Sequence, residues 1–143
     1  MTGSREVITG GDFKRMVSGA YSEFLLEYET INGFGGAGTL AGTHILRTMG
    51  AAVMPLADAK DDSIGGLARR VSTAAVFGAR GNAGVVLAQM FRGISAGLAG
   101  KYEATGSEFG KAFQYGILYA QRVIPEEPDR PFITVAKDRK SVV

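Results

Sequence analysis

The residues with chemical content lie in two glycine-rich stretches, 32–42 (Asn-Gly-Phe-Gly-Gly-Ala-Gly-Thr-Leu-Ala-Gly) and 78–84 (Gly-Ala-Arg-Gly-Asn-Ala-Gly). Each runs into a segment whose apolar residues recur at helical spacing, so each feeds a helix N-terminus. The first turn of a helix presents amide N–H groups without an intrahelical partner and the positive end of the helix dipole, which suits a phosphate. Glycine lets the backbone approach an anion closely and reach positive φ. Arg80 offers a forked donor to the same anion, and Thr39 and Thr43 add hydroxyl donors. The spacing equally fits a plain helix–turn–helix connection with a glycine cap at Gly78, and both readings stand at this point. Neither stretch has the GxxxxGK[ST] form or a dinucleotide fingerprint after a strand, so P-loop and Rossmann readings fit poorly.

Other candidate chemistry is thin. The chain of 143 residues has no cysteine, so disulfides, thiolate metal sites and cysteine catalysis are excluded. His44 is the lone histidine; beside the first stretch it is placed to touch a phosphate or act as a base, but it has no evident acidic partner, and a structural role fits it as well. Asp58, Asp61 and Asp62 lack the glycine and distal glutamate of a calcium loop and read as a solvated connection. Tyr115 and Tyr119 read as core or interface, and Lys137, Arg139 and Lys140 as a solvated terminus. The net charge is +2. Arg47, Arg69, Arg70, Arg80, Arg92, Lys137, Arg139 and Lys140 are scattered where a duplex-binding protein gathers its charge, so no nucleic-acid partner is expected. No apolar run has the length of a membrane span, and Met1–Gly11 lacks the order of a secretory signal. These absences lead to the expectation of a cytoplasmic protein.

The elements that must position the two stretches follow from periodicity and caps. Thr9 to Asp12 reads as the cap of an amphipathic helix over 10–29, with Phe13, Met16, Val17, Ala20 and Phe24 on one face. A second helix runs from Thr43 to Val53. Ser63 caps a third, carrying Ile64, Leu67, Val71, Ala74 and Ala75 and stopping near Gly78. Asn82 caps a fourth, with Val86, Met90, Gly93 and Gly97 on one side. Thr105 to Glu108 has the capping-box form and opens a fifth through Phe109, Ala112, Phe113, Gly116, Ile117 and Ala120, ended by Pro125. A last element starts at Phe132–Ala136. No segment alternates with period two, so the fold class is all-α, an antiparallel helical bundle or barrel. The 21 glycines are explained in part by close approach of helix axes.

Residues 78–93, GARGNAGVVLAQMFRG, resemble the GARGNSGVILSQLFRG segment of the DhaL-type kinase domain, the nucleotide-binding domain of dihydroxyacetone kinases and of the bacterial fatty acid kinase. Ile8-Thr9-Gly10 with Phe13, and Thr134 to Asp138, support the resemblance, which is closer to the fatty acid kinase branch. It implies a barrel of antiparallel helices binding ATP or ADP at one end, with Mg²⁺ bridging the phosphates to two aspartates of an NVFPVPDGDTGTNM loop. It also implies an acceptor that is dihydroxyacetone or a fatty acid held by a separate lipid-binding protein, so a lipid-binding or kinase-subunit partner is expected. Carried onto this sequence, the nucleotide-binding residues are Thr39, Gly42, Thr43, His44, Gly78, Arg80, Gly81, Asn82, Ala83 and Gly84.

The departures bear directly on the chemistry. With Asn32 and Gly42-Thr43 aligned to the family loop, Phe34 takes the aromatic position and Gly35 and Ala37 replace the prolines. Gly38 and Leu40 stand where the metal-binding aspartates belong, His44 replaces an asparagine, and Ala83 replaces a serine that contacts phosphate. Mg²⁺ requires hard oxygen ligands, and phosphoryl transfer rests on positioning and on neutralising charge at the β- and γ-oxygens. Neither glycine nor leucine supplies a ligand, and Glu29 and Asn32 are the nearest carboxylate and carboxamide side chains. Residues 1–143 read as one domain covering about the first two-thirds of the family's. The missing end of the barrel leads to the expectation of a homo-oligomer. Three readings follow: a nucleotide-binding domain that has lost catalysis, an active kinase with a displaced or partner-supplied metal site, and a helical interaction module without ligand.

Overall fold

Among the described residues, three of the five helices start at side-chain caps. In the computed structural model, which describes residues 6–34, 40–60 and 62–124, Thr9 and Asp12 exchange bonds at the head of α1 (Gly10–Phe34). The Thr9 amide donates to Asp12 Oδ2 and the Asp12 amide to Thr9 Oγ1, both at 3.0 Å. Ser63 Oγ accepts the Gly66 amide at 3.0 Å and opens α3 (Ile64–Gly78). Thr105 and Glu108 form the full capping box of α5 (Gly106–Val123), at 2.9 and 3.1 Å. The bond from the Thr9 amide holds the Asp12 carboxyl below its ordinary value, and the bond from the Thr105 amide does the same for Glu108, with Lys101 adding to it. Between these lie α2 (Ala41–Val53), a 3₁₀ turn at Met54–Leu56 and α4 (Gly81–Leu98). The only departure from an all-α chain among the described residues is a two-residue antiparallel pair, β1 (Val7–Ile8) with β2 (Ala104–Thr105). β1 ends just ahead of the cap of α1 and β2 ends on the cap of α5, so the pair ties those two helix starts together.

The core is built around α3 and α4. Ile64, Leu67, Val71 and Ala75 line the inner face of α3 and pack with Phe91, Ile94 and Leu98 of α4, Phe13 and Val17 of α1, and Leu56. Each large aliphatic side chain so buried contributes about 1.5–3 kcal/mol. α5 lies antiparallel on α4 along a seam of small residues. A β-carbon on Gly97 would come within 2.5 Å of Ala112 Cα, and one on Gly93 within 2.6 Å of Gly116 Cα. The close approach of axes expected from the glycine content is therefore present at this seam.

Several expected faces and boundaries differ. On α5 the buried stripe is Ala112, Gly116 and Ala120, while Phe113 and Ile117 are exposed; α4 comes so close that only small residues fit between the axes. On α1, Met16 and Ala20 point to solvent while Phe13 and Val17 are buried. α1 continues past 29 through Asn32 to Phe34, and α2 starts two residues ahead of Thr43. Tyr115 is exposed and Tyr119 half-buried, its ring 5.8 Å from the Arg92 guanidinium and 5.1 Å from that of Arg122, so neither belongs to the core. Asp58 and Asp62 are exposed. Asp61, Pro125, the element expected at Phe132–Ala136, and Lys137, Arg139 and Lys140 lie outside the described residues. Among the described residues no helix is long and apolar enough to cross a membrane.

Candidate functional site

The second glycine stretch packs against α2. His44, Thr48 and Ala51 recur at i, i+4 and i+7, which puts them on one face of that helix. Opposite them stand Gly81, Gly84 and Gly78. A β-carbon on Gly81 would fall on the His44 ring, within 2.6 Å of Cγ and Cε1. One on Gly84 would strike Thr48 Oγ1, and one on Gly78 would strike the Ala51 β-carbon. Gly81 also has φ +67°, a conformation that L side chains resist. Helix packing thus requires the absence of a side chain at these three positions, and that packing brings the N-termini of α2 and α4 together.

Thr48 is the latch of this arrangement. It is fully buried; its Oγ1 donates to His44 O at 2.8 Å and accepts the Arg80 amide at 3.2 Å, across 32 positions of sequence. Arg80, rather than Asn82, is the N-cap of α4, without a side-chain cap bond. The expected cap fails because Gly81 turns the chain one residue earlier, which leaves Asn82 exposed in the first turn. The helical ladder begins with the Gly84 amide on Arg80 O at 3.2 Å, so the amides of Gly81, Asn82 and Ala83 are those α4 itself does not bond. The Arg80 guanidinium is exposed and donates to Ala79 O at 3.1 Å.

At α2 the N-cap position is Leu40, which has no oxygen to offer. Asn32, at the end of α1, supplies the missing cap: its Oδ1 accepts the Thr43 amide at 3.1 Å and its Nδ2 donates to Thr43 Oγ1 at 2.8 Å. The Thr43 amide is therefore spent within the protein, while its hydroxyl proton remains available. The ladder starts with His44 N on Leu40 O at 2.8 Å, leaving the Ala41 and Gly42 amides. Gly42 is buried, with Tyr28 O and Asn32 where its side chain would stand. Of the sequence-derived residues, Gly42, Thr43, His44, Arg80, Gly81, Asn82, Ala83 and Gly84 converge at these two helix starts, and Gly78 closes α3 beside them. Thr39 lies outside the described residues. Thr48 was missed, although its helical spacing from His44 carried the signal.

The residues at hand do not suit a magnesium ion. Leu40 is apolar and exposed, residues 35–39 hold no carboxylate, and the Asn32 carboxamide is engaged with Thr43 on both atoms. Glu29, the other nearby oxygen ligand, is exposed and accepts from the Tyr28 hydroxyl at 3.4 Å. Among the described residues no three acidic or histidine side chains cluster as a metal site.

Comparison with known proteins places the chain in a family. The DAK2 domain matches residues 41–138. Protein YloV of Bacillus subtilis is 34% identical over 97 residues, 68% of this chain and 18% of that protein. An uncharacterized protein of Staphylococcus epidermidis is 37% identical over 76 residues, 53% of this chain and 14% of its own length. Another from Staphylococcus aureus is 31% identical over 97 residues, again 68% and 18%. The chain thus matches less than a fifth of the length of these relatives. With its match to the family extending from the start of α2 to beyond α5, the chain belongs to the DAK2 domain family, a kinase-family domain of all-α build.

Proposed function

We propose that the adjoining N-termini of α2 and α4 hold the phosphates of ATP or ADP, and that this domain by itself transfers no phosphoryl group. The observation that carries the reading is the seating of His44 and Thr48 against Gly81 and Gly84, which sets two amide-bearing helix ends side by side. The Gly81, Asn82 and Ala83 amides and the α4 dipole face a phosphate, the Thr43 hydroxyl donates from α2, and Arg80 swings from the Ala79 carbonyl to fork onto the anion. Catalysis needs more than this cradle. Charge building on the β- and γ-oxygens must be neutralised during transfer, and Leu40 and residues 35–39 bring no carboxylate to hold a metal there. The domain acts as a nucleotide-binding unit, with any transfer to dihydroxyacetone, a fatty acid or another acceptor depending on carboxylates from a partner.

Calorimetric titration of the whole chain with ATP and ADP, each with and without Mg²⁺, tests this. Binding that changes by less than about tenfold, or about 1.4 kcal/mol, on adding the metal supports it. A larger strengthening by Mg²⁺ means a metal site exists and an active kinase is the correct reading. Absence of heat in all four titrations refutes nucleotide binding.

A further inference from the structure

Beyond the nucleotide reading, two helix faces of opposite charge stand unmatched. From Ser18 to Gly33, α1 carries Glu23, Glu27 and Glu29 and no basic residue. Glu23, Leu26, Glu27 and Thr30 fall at i, i+3, i+4 and i+7, one outward face, and Leu26 at its centre is 77% exposed. From Ile64 to Gly78, α3 carries Arg69 and Arg70 and no acid. Arg70, Thr73 and Phe77 share its outward face with Arg69 at the margin, and Phe77 is 84% exposed, the most exposed large apolar side chain among the described residues. The Arg face borders an open cleft of about 550 Å³ between Pro55 and α3, lined by Gly66, Arg69, Arg70, Thr73 and Ala74. Among the described residues neither Glu23, Glu27, Arg69 nor Arg70 has an ion-pair or hydrogen-bond partner.

We propose that these two faces dock on one another between copies of this chain, head to tail. The charges are opposite in sign, each face carries a large apolar side chain left in water, and each has what the other lacks. Glu23 and Glu27, one turn apart, reach the two guanidinium groups at the cleft, where carboxylate–guanidinium forks form. Leu26, between the two glutamates, then covers the aliphatic stems of Arg69 and Arg70. Docked head to tail, with one such contact per pair of copies, the arrangement is heterologous, and copies add in sequence until a ring closes. The pairs at its edge are screened by salt, so association weakens as ionic strength rises.

Charge reversal and mixing test this on the whole chain by sedimentation velocity over about two decades of concentration. The unaltered chain shows concentration-dependent association. E23K/E27K and R69E/R70E, each alone, place like charges on both faces and associate at least about tenfold more weakly. An equimolar mixture of the two regains association, because the basic α1 of one meets the acidic α3 of the other; a misfolded variant gives no such rescue. A chain that stays monomeric, variants that associate undiminished, or a mixture that stays monomeric each overturn the proposal. Nucleotide titration of E23K/E27K separates this outcome from the proposed function, since Glu23 and Glu27 lie on a different face from the helix ends.

Discussion

Thr48→Val isolates the bond that joins the two helix ends. Valine keeps the shape of threonine but has no hydroxyl, so the buried position stays filled while Oγ1 disappears. Two bonds go with it. The one to His44 O at 2.8 Å is minor, because that carbonyl lies inside α2 and keeps its ladder bond. The one from the Arg80 amide at 3.2 Å is not, because Arg80 is the N-cap and its amide loses the acceptor that sets the start of α4. A donor stripped of its partner in a part-buried place costs about 1–3 kcal/mol. The γ-methyl that replaces Oγ1 must also sit against Gly84, where even the hydroxyl leaves no room for a β-carbon. We expect a loss of about 2 kcal/mol, which for a urea slope of about 1–3 kcal/mol/M moves the midpoint down by roughly 1 M. Urea titration followed by helical circular dichroism reads it, and Thr48→Ser, which keeps the hydroxyl, should retain the larger part of the stability. A T48V midpoint equal to that of the unaltered chain, or T48S as damaging as T48V, would refute the latch.

Gly81→Ala forces a side chain into φ +67° and onto the His44 ring, costing about 1–3 kcal/mol in thermal or urea unfolding. Shortening His44 to Ala removes the clash but leaves the strain, so H44A/G81A should lose measurably less than the two single variants summed; strict additivity would count against the contact. The capping carboxylates of Asp12 and Glu108 have folded values held below their ordinary 3.8 and 4.5, chiefly by the Thr9 and Thr105 amides. The stability they bring is complete above those ordinary values and is lost as pH falls through the depressed folded ones. Urea midpoints should therefore drop as pH is lowered below the ordinary carboxylate range, and D12N/E108Q should flatten that drop while leaving the curve near neutrality little changed in slope. An acid limb equally steep in the variant would show that other carboxylates carry it.

What could be read from residues alone were features with local causes. Thr9, Ser63 and Thr105 each sit where a hydroxyl meets an amide three residues on, so three helix starts and the all-α class followed without tertiary information. Gly78–Gly84 was recognisable as a link between two helices from its glycines and the helical spacing on either side. The misreadings have tertiary causes. α1 persists through Asn32 because that side chain caps a different helix, and nothing near Asn32 in sequence announces a partner at Thr43. Asn82 looked like the cap because asparagine favours that position, but Gly81 against His44 moved the start of α4 to Arg80. Phe113 and Ile117 share the helical spacing of Ala112, Gly116 and Ala120, but the α4–α5 seam selects for smallness and leaves the two larger residues exposed. Thr48 was overlooked because a threonine amid a helix is common; its importance comes from the Arg80 amide 32 positions away.

The central claim is that phosphates sit on the amides at the starts of α2 and α4. Amide proton–nitrogen correlation spectra of the labelled chain, titrated with ADP in the absence of magnesium, test it residue by residue. The account predicts the largest shifts at Ala41, Gly42, Gly81, Asn82 and Ala83, the amides that α2 and α4 do not bond themselves. Little change is expected at Arg69, Arg70 and the amides of α5. Shifts confined to other residues, or an unchanged spectrum at saturating ADP, would contradict it.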